Sequence, residues 1–306
     1  MPSSDILITG GRGFLGTALA LELRRRGLGR RLVVTDRKGG SCRKLDLADA
    51  ARTARTVEEL RPSLVFHLAG TTRPMDWEGL WKAHVRATLN LLDALADGPA
   101  PSKIRVVVSG SSGEYGPPPG SAPVGENAPL RPVTAYGIIK LAQWLAAASY
   151  HHRGLQILEA RIFNVLGPGI PSHLAPGAFA EQIARVELGL QPPRLAVGRL
   201  DARRDYLDVR DAARALADIG LHGRSGEVYN VCSGRALPMR RILDLMLKAA
   251  RRPIRVVPDA SRARKVEVPR LAGSARKLMA LAGWRPGISL EQSVLDTLNW
   301  HRGRPR

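Results

Sequence analysis

Residues 6–16 read ILITGGRGFLG, and this stretch decides the fold. Ile6, Leu7 and Ile8 form a short apolar run of the kind that makes a strand buried on both faces. Glycines follow at 10, 13 and 16 and open a run with helical spacing that extends to about Gly27. Gly10 permits a tight turn, Gly13 lets backbone N–H groups approach a pyrophosphate, and Gly16 lets the helix pack on the strand. Phe14 and Leu15 start the helix, where orphan amides and the helix dipole favour an anion. A strand, a glycine turn and a helix in this order make a dinucleotide-binding loop.

Working outward, RRLVVTD is a second strand that ends at Asp36, where a carboxylate can accept both hydroxyls of an adenosine ribose. That tips the expected cofactor toward NAD, while Arg37 and Lys38 could pair with a 2′-phosphate and keep NADP open. Asp46-Leu47 either places a carboxylate beside the adenine amino group or caps a helix. Thr53–Leu60 reads as a helix and SLVFHLAG as a third strand. His67 there is expected to be a packed strand-end histidine. Leu68, Ala69 and Gly70 should touch the cofactor, with Thr71 beyond them on the substrate side. A helix over about Trp77–Ala96 is closed by Gly98-Pro99. IRVVVSGSS, the fourth strand, delivers Ser109, Ser111 and Ser112 to the edge where such sheets bind ligands.

The Pro/Gly run GPPPGSAPVGENAPLRP excludes helix or strand interior, a helix at about Thr134–His152 follows it, and LQILEARIFNVLG is the next strand. This alternation predicts an α/β fold, a doubly wound parallel sheet of Rossmann type. After Gly167 the alternation loosens, which predicts a smaller C-terminal substrate domain. The expected division is a nucleotide domain over 1–165, with about 206–232 returning to it, and a substrate domain over 166–205 and 233–306.

Tyr136 and Lys140 stand 25 residues after Ser111 in PVTAYGIIKLAQW. On a helix this spacing puts the phenol and the ammonium on one face, one turn apart. An ammonium so close is expected to lower the tyrosine pKa toward working pH. Ser111 can hold the carbonyl or alcohol whose proton moves. With the nucleotide loop, these three side chains describe a hydride-transfer site. Glu114 is either a hydrogen-bonding loop residue or a substrate contact.

The bulk properties narrow the partners. A net charge of +20 could mark a nucleic-acid surface, but the basic residues are spread along the chain and only 8 of the 47 are lysine. Only 5% of residues are aromatic, too few to stack on bases, so nucleic acid is not an expected partner. A basic surface also draws in an anionic, nucleotide-linked substrate. The chain has no apolar run of membrane-spanning length, and MPSSDILITGG lacks a basic leader. Cys42 and Cys232 lie far apart, and the seven histidines show no metal spacing, so neither a disulfide framework nor a metal is expected. A cytoplasmic location follows.

The ordered segments TGGRGFLG, HLAG, SGSSGEYG, YGIIK, RIFNVLGPG, RRDYLDVRDAARA, EVYNVCSG and RARKVEVP resemble the extended short-chain dehydrogenase/reductase family of nucleotide-sugar enzymes, over about Ile6 to Trp300. Within it the chain is most similar to the GDP-4-keto-6-deoxy-D-mannose reductases, which make GDP-D-rhamnose. The resemblance implies that Ser111, Tyr136 and Lys140 are the catalytic triad. It also implies Asn164 as a substrate-binding residue, Arg204 as a pyrophosphate contact, and Arg264 with Glu267 as contacts at the nucleoside end. A nucleotide-diphosphate sugar, GDP-linked by preference, is the implied substrate, and a homodimer the implied assembly. The alternatives on the same residues are a C4 epimerase and, from another class, a catalytically silent relative. His84 and Ala87 depart from the family's usual Asn and Gly, and Gly113 stands where its dehydratases carry an acid.

Overall fold

A computed structural model describes residues 5–262 and 268–303. β1 (Ile6–Thr9) leads into α1 (Phe14–Arg25), β2 (Leu32–Asp36) and a two-residue β3 (Arg43–Lys44). Next come α2 (Ala50–Leu60), β4 (Leu64–His67), α3 (Trp77–Trp81), a π turn (Lys82–Arg86), α4 (Ala87–Ala96) and β5 (Arg105–Ser111). They are followed by α5 (Ala135–Ala148), β6 (Gln156–Ile162), β7 (Asn164–Leu166), α6 (Ala175–Glu187), β8 (Arg194–Val197), β9 (Arg203–Asp208) and α7 (Val209–His222). The remaining elements are β10 (Val228–Val231), β11 (Ala236–Pro238), α8 (Met239–Lys248), β12 (Arg255–Pro258), β13 (Arg270–Leu271), α9 (Arg276–Ala282) and α10 (Leu290–Arg302).

Seven parallel strands form the main sheet in the order β10-β6-β5-β4-β1-β2-β3. The order reverses between β1 and β4, which opens the crevice where such sheets take a ligand. Successive side chains of a strand point to opposite faces, and the core divides accordingly. Ile6, Ile8 and Val107 face one layer with Leu19 and Leu23 of α1 and Leu216 of α7. Leu7, Val106 and Val108 face the other with Val57 of α2, Leu91 of α4 and Ala147 of α5. The expected doubly wound α/β sheet is therefore what these strands build.

Three local readings shift. LQILEARIFNVLG is not one strand: Phe163 donates its N–H to the Val231 carbonyl at 3.0 Å, and beyond it β7 leaves to pair with β9. α2 begins at Ala50, ahead of the expected Thr53, because the Asp49 carboxylate caps it through Arg52 N at 2.9 Å. The helix over Trp77–Ala96 is interrupted by the π turn, which carries His84. As expected, the loop over 116–132 holds no helix or strand; Val124 bridges to Gly273 within it.

A second sheet has the order β11-β9-β13 with β7 on β9, and β8 pairs with β12. A third apolar cluster, including Phe179, Ile183, Leu195, Ile242, Met246 and Leu298, lies among α6, β8, α8 and α10. α7 and β10 run back to the main sheet. Among the described residues, no helix is long and apolar enough to cross a membrane.

Candidate active site

The glycine turn sits against the carboxyl end of β4. Gly10 has φ +69°, and a Cβ there would lie 2.8 Å from the Ala69 backbone, so only glycine lets β1 approach β4 so closely. Gly13 caps α1 without a side chain, and no acidic residue occupies the first turn. Its first amides are left for an anion. Gly16 is required by the turn rather than by the strand, since a Cβ there would strike the Gly10 carbonyl and the Gly11 backbone. Phe14 packs toward the third cluster and Leu15 toward the first, so both offer amides, not side chains. This cradle fits a dinucleotide pyrophosphate.

At the end of β2, the Asp36 carboxylate accepts from Arg12 N at 3.3 Å and Lys38 N at 3.1 Å. Arg37 and Lys38 are exposed, and the Arg12 guanidinium donates to the Gly39 carbonyl at 2.6 Å. Arg12 is thus a third cation at this corner, one the glycine pattern had hidden. Asp46 is exposed and turns back to Ala48 N at 3.0 Å, leaving the helix cap to Asp49. Leu47 is buried in the second core layer and its carbonyl accepts from Asn90 at 2.8 Å. Leu68 N donates to Thr9 O at 3.2 Å and Ala69 N to Thr9 Oγ1 at 3.3 Å, which closes the β1–β4 edge. Gly70 has no room for a Cβ beside the His84 ring.

Ser111 ends β5 and caps a single 3-10 turn, its hydroxyl accepting from Gly113 N at 3.1 Å. Glu114 answers with one oxygen on Ser111 N at 2.6 Å, and its other oxygen meets Arg161 at 3.0 Å. Glu114 is fully buried with both oxygens engaged, so it holds the Ser111 turn and does not reach a substrate. That corrects its reading as a substrate contact. Ser112 is buried and begins the turn, and Ser109 is half-buried one pleat earlier.

Tyr136 and Lys140 lie on α5, capped by Thr134 through Gly137 N at 3.1 Å. The Ser111 hydroxyl stands beside the Tyr136 phenol and pulls its pKa down, and the His84 ring stands edge-on to Tyr136 with centroids 5.7 Å apart. The expected lowering of the phenol pKa is not found. Burial first, and the Glu114 charge second, push Tyr136 up to about 12, against the pull of Ser111. Lys140 is turned elsewhere: its ammonium donates to the Ser109 carbonyl and to Gln143. Burial lowers Lys140 to about 8, opposed by the charges of Glu114 and Glu159.

On the far side of the cleft, Asn164 opens β7 and donates to the Asp205 carbonyl at 3.3 Å. Arg204, on β9, donates to the Arg203 carbonyl at 3.0 Å and is half-buried. The β7–β9 pairing brings Asn164 and Arg204 to neighbouring strands. Thr71 N lies 3.3 Å from His84 Nε2. Arg264 and Glu267 fall outside the described residues. The structure thus gathers Ser111, Tyr136 and Lys140 at the carboxyl edge beside the glycine turn. Arg161, Glu159 and Gln143 escaped the sequence reading, although Glu159 and Arg161 share a face of β6 by period two and Gln143 is a polar residue in an apolar run.

The sequence profile of the NAD dependent epimerase/dehydratase family matches residues 6–232. GDP-6-deoxy-D-mannose reductase of Pseudomonas aeruginosa is 35% identical over 256 residues, spanning 80% of this chain and 82% of that protein. The solved structure of RMD from Pseudomonas aeruginosa complexed with NADPH superposes with a TM-score of 0.86 at 30% identity, over 99% of this chain and 100% of that one. Thermus thermophilus UDP-glucose 4-epimerase, solved with NAD, gives 0.85 at 28% identity, over 98% and 99%.

Tyr136→Phe is expected to keep the fold and nucleotide affinity while lowering turnover by about 10²–10⁴-fold, the usual worth of a positioned acid–base group. Steady-state rates beside a fluorescence titration with reduced cofactor check both halves of that statement. Nucleotide affinity of the unmodified protein is expected to fall as pH rises through about 8, where Lys140 loses its charge.

Proposed function

The chain belongs to the NAD dependent epimerase/dehydratase family, the extended short-chain dehydrogenase/reductases, and from that premise we propose that it reduces the C4 keto group of a nucleotide-diphospho-4-keto-6-deoxyhexose. An NAD(P)-dependent oxidoreductase of nucleotide sugars is the common denominator of its relatives. The finer reading is conversion of GDP-4-keto-6-deoxy-D-mannose to GDP-D-rhamnose, and the 35% identical reductase supports it. The observation that carries the chemistry is the placing of Ser111, Tyr136 and the buried Lys140 ammonium together at the carboxyl end of β5.

A reduced nicotinamide, when bound, would supply the hydride. Tyr136 gives its proton to the oxygen that was the C4 carbonyl, and Ser111 donates a hydrogen bond to that oxygen as charge builds. A phenol pushed up to about 12 keeps its proton until that charge appears, the state that reduction needs. Lys140, still charged at neutral pH, stabilises the phenolate that results. Gly10, Gly13 and the first amides of α1 hold the pyrophosphate of the cofactor, and Asp36 its adenosine ribose. Arg12 and Arg37 stand ready for a 2′-phosphate. Asn164 and Arg204 hold the substrate, with the segments 166–205 and 233–306 as its domain. Two unbridged thiols, Cys42 and Cys232, suit a reducing cytoplasm.

Incubation with a panel of nucleotide 4-keto-6-deoxy sugars, each with NADH and with NADPH, is expected to consume reduced cofactor stoichiometrically with the GDP-linked sugar. A C4 epimerase, the reading that the Thermus thermophilus neighbour supports, would instead retain its NAD through purification and consume none. Arg204→Ala should raise KM by roughly tenfold with a smaller effect on kcat, because a diphosphate contact acts in ground and transition states alike.

The proposed assembly is a homodimer through α3 and α5. Leu145 is 60% exposed and Ile138 41% on α5, beside Trp77 at 55% and Trp81 at 42% on α3. An apolar face of this extent is expected to be covered by a second copy. Light scattering at low micromolar concentration should give twice the 33.1 kDa chain mass, and Leu145→Glu should halve it.

A further inference from the structure

A buried hydrogen-bond chain runs from the glycine turn to Lys140. Gln143 lies three residues after Lys140 on α5, fully buried, where a polar side chain must find partners. Its Oε1 accepts from the Lys140 ammonium and its Nε2 donates to Thr88 Oγ1 at 2.8 Å. The reverse amide orientation would set an NH₂ against an ammonium, so the orientation is fixed. Thr88 spends its one proton on the His84 carbonyl at 2.6 Å. Its oxygen therefore accepts from both Gln143 and His67 Nε2, the latter at 2.9 Å. His67 then carries its proton on Nε2, and its Nδ1 accepts from Thr9 Oγ1 at 2.8 Å. Burial, and then the charge of Lys140, hold His67 down at about 3, so it stays neutral.

Every hydrogen in this chain has one placement. Thr88 cannot pass a proton onward, because its own is committed to a carbonyl, and Gln143 has none to exchange. The chain is a fixed support, not a relay. It leaves Lys140 with two of three N–H groups bound, to the Ser109 carbonyl and to Gln143, and one for a ligand.

We propose that Gln143 is the positioning residue of Lys140, and that Thr88, His67 and Thr9 tie it to the nucleotide loop, so that the ammonium and the glycine turn meet the dinucleotide as one unit. The proposal rests on Lys140 as a cofactor contact. It does not depend on the identity of the sugar. The charged and titratable groups acting on Lys140 are Glu114 and Glu159, with His67 and His84 within reach of its charge, and Arg161 is paired to both carboxylates.

The test is the dissociation constant of the reduced cofactor, followed by fluorescence across pH, for Gln143→Leu, Gln143→Glu, Thr88→Val and Lys140→Met. Gln143→Leu should weaken binding about tenfold and move the alkaline limb to lower pH, because the ammonium loses an acceptor. Gln143→Glu should move the limb to higher pH with affinity near the unmodified value at neutral pH. Thr88→Val leaves α5 intact and should weaken binding about threefold. Opposite displacements of the limb distinguish positioning from a packing defect, which would not depend on the sign of the new group. If Gln143→Leu fails to fold, Gln143→Glu and Thr88→Val decide the matter. An unmoved limb in Gln143→Glu together with unchanged binding in Thr88→Val overturns the proposal. Unchanged binding in Lys140→Met brings down the reading of Lys140 as a cofactor contact, and this proposal with it. Weakened binding there, with all other variants like the unmodified protein, overturns the proposal alone.

Discussion

A guanidinium buried under the ligand edge is the constraint on which the site depends. Arg161 is 1% exposed, and a cation so far from water must be met by negative charge and hydrogen bonds. Glu114 and Glu159 meet it, and Tyr115 accepts a third bond at 3.1 Å. Burial, and then the neighbouring Glu114 charge, push the Glu159 carboxyl well above the usual range. Two carboxylates thus face the one guanidinium. Since the second oxygen of Glu114 accepts from Ser111 N, the ion pair also sets the pose of Ser111. Removing one partner of such a pair costs about 3–5 kcal/mol, because the other is left buried without compensation. The rigidity of the Ser111 turn is thus a consequence of charge burial on β6, two strands' width of chemistry away from the nucleotide loop.

The same polar interior continues outward. Tyr115 donates to Asn230 on β10 at 2.7 Å, and Asn230 donates to the Val124 carbonyl at 3.0 Å. The Pro/Gly loop, which has no regular structure of its own, is held by this asparagine and by the Val124–Gly273 bridge. On the other side Asp205 gathers Ser233 N, Gly234 N and Gly273 N within 3.1 Å, joining β9 to the segment after β10 and to the chain near β13. Arg204 precedes this carboxylate, so its backbone is fixed by a buried acceptor. Asp205 is thus buried where separate strands meet, and backbone amides from the two neighbouring segments satisfy it.

How much of this was legible depends on whether the signal was local. The glycine turn, the strand ends and Tyr136/Lys140 follow from spacing within ten residues, which fixes periodicity and turn chemistry. The break of the expected strand at Phe163 was not legible, because its cause is the pairing of β7 with β9, far along the chain. Of the two readings of Asp46, the helix cap failed for the opposite reason: two aspartates close together competed for one cap, and the chain used Asp49. The phenol pKa was misread because it depends on burial and on the Glu114 charge, and spacing could not choose between the two readings of Glu114 because its partner Arg161 lies on another strand. Neighbouring ammonium and phenol predict attraction, yet the ammonium is spent on a carbonyl and an amide.

The approach of α5 to the Ser111 turn is the last constraint on the site. A Cβ there would lie 3.4 Å from Ser111 Oγ and 3.5 Å from Gly137 Cα, so a side chain would project between the Ser111 turn and the start of α5. Gly137 is equally bare, since a Cβ on it would strike the Gly113 carbonyl. α5 thereby presses its first turn onto the Ser111 turn, and Tyr136, one residue before Gly137, is brought to the serine hydroxyl by that approach. A Cβ at position 113 would meet both neighbours at ordinary contact distance, whereas one at position 137 would strike the Gly113 carbonyl. The close seating of the phenol therefore depends on the bare Gly137, and position 113 is not what limits it.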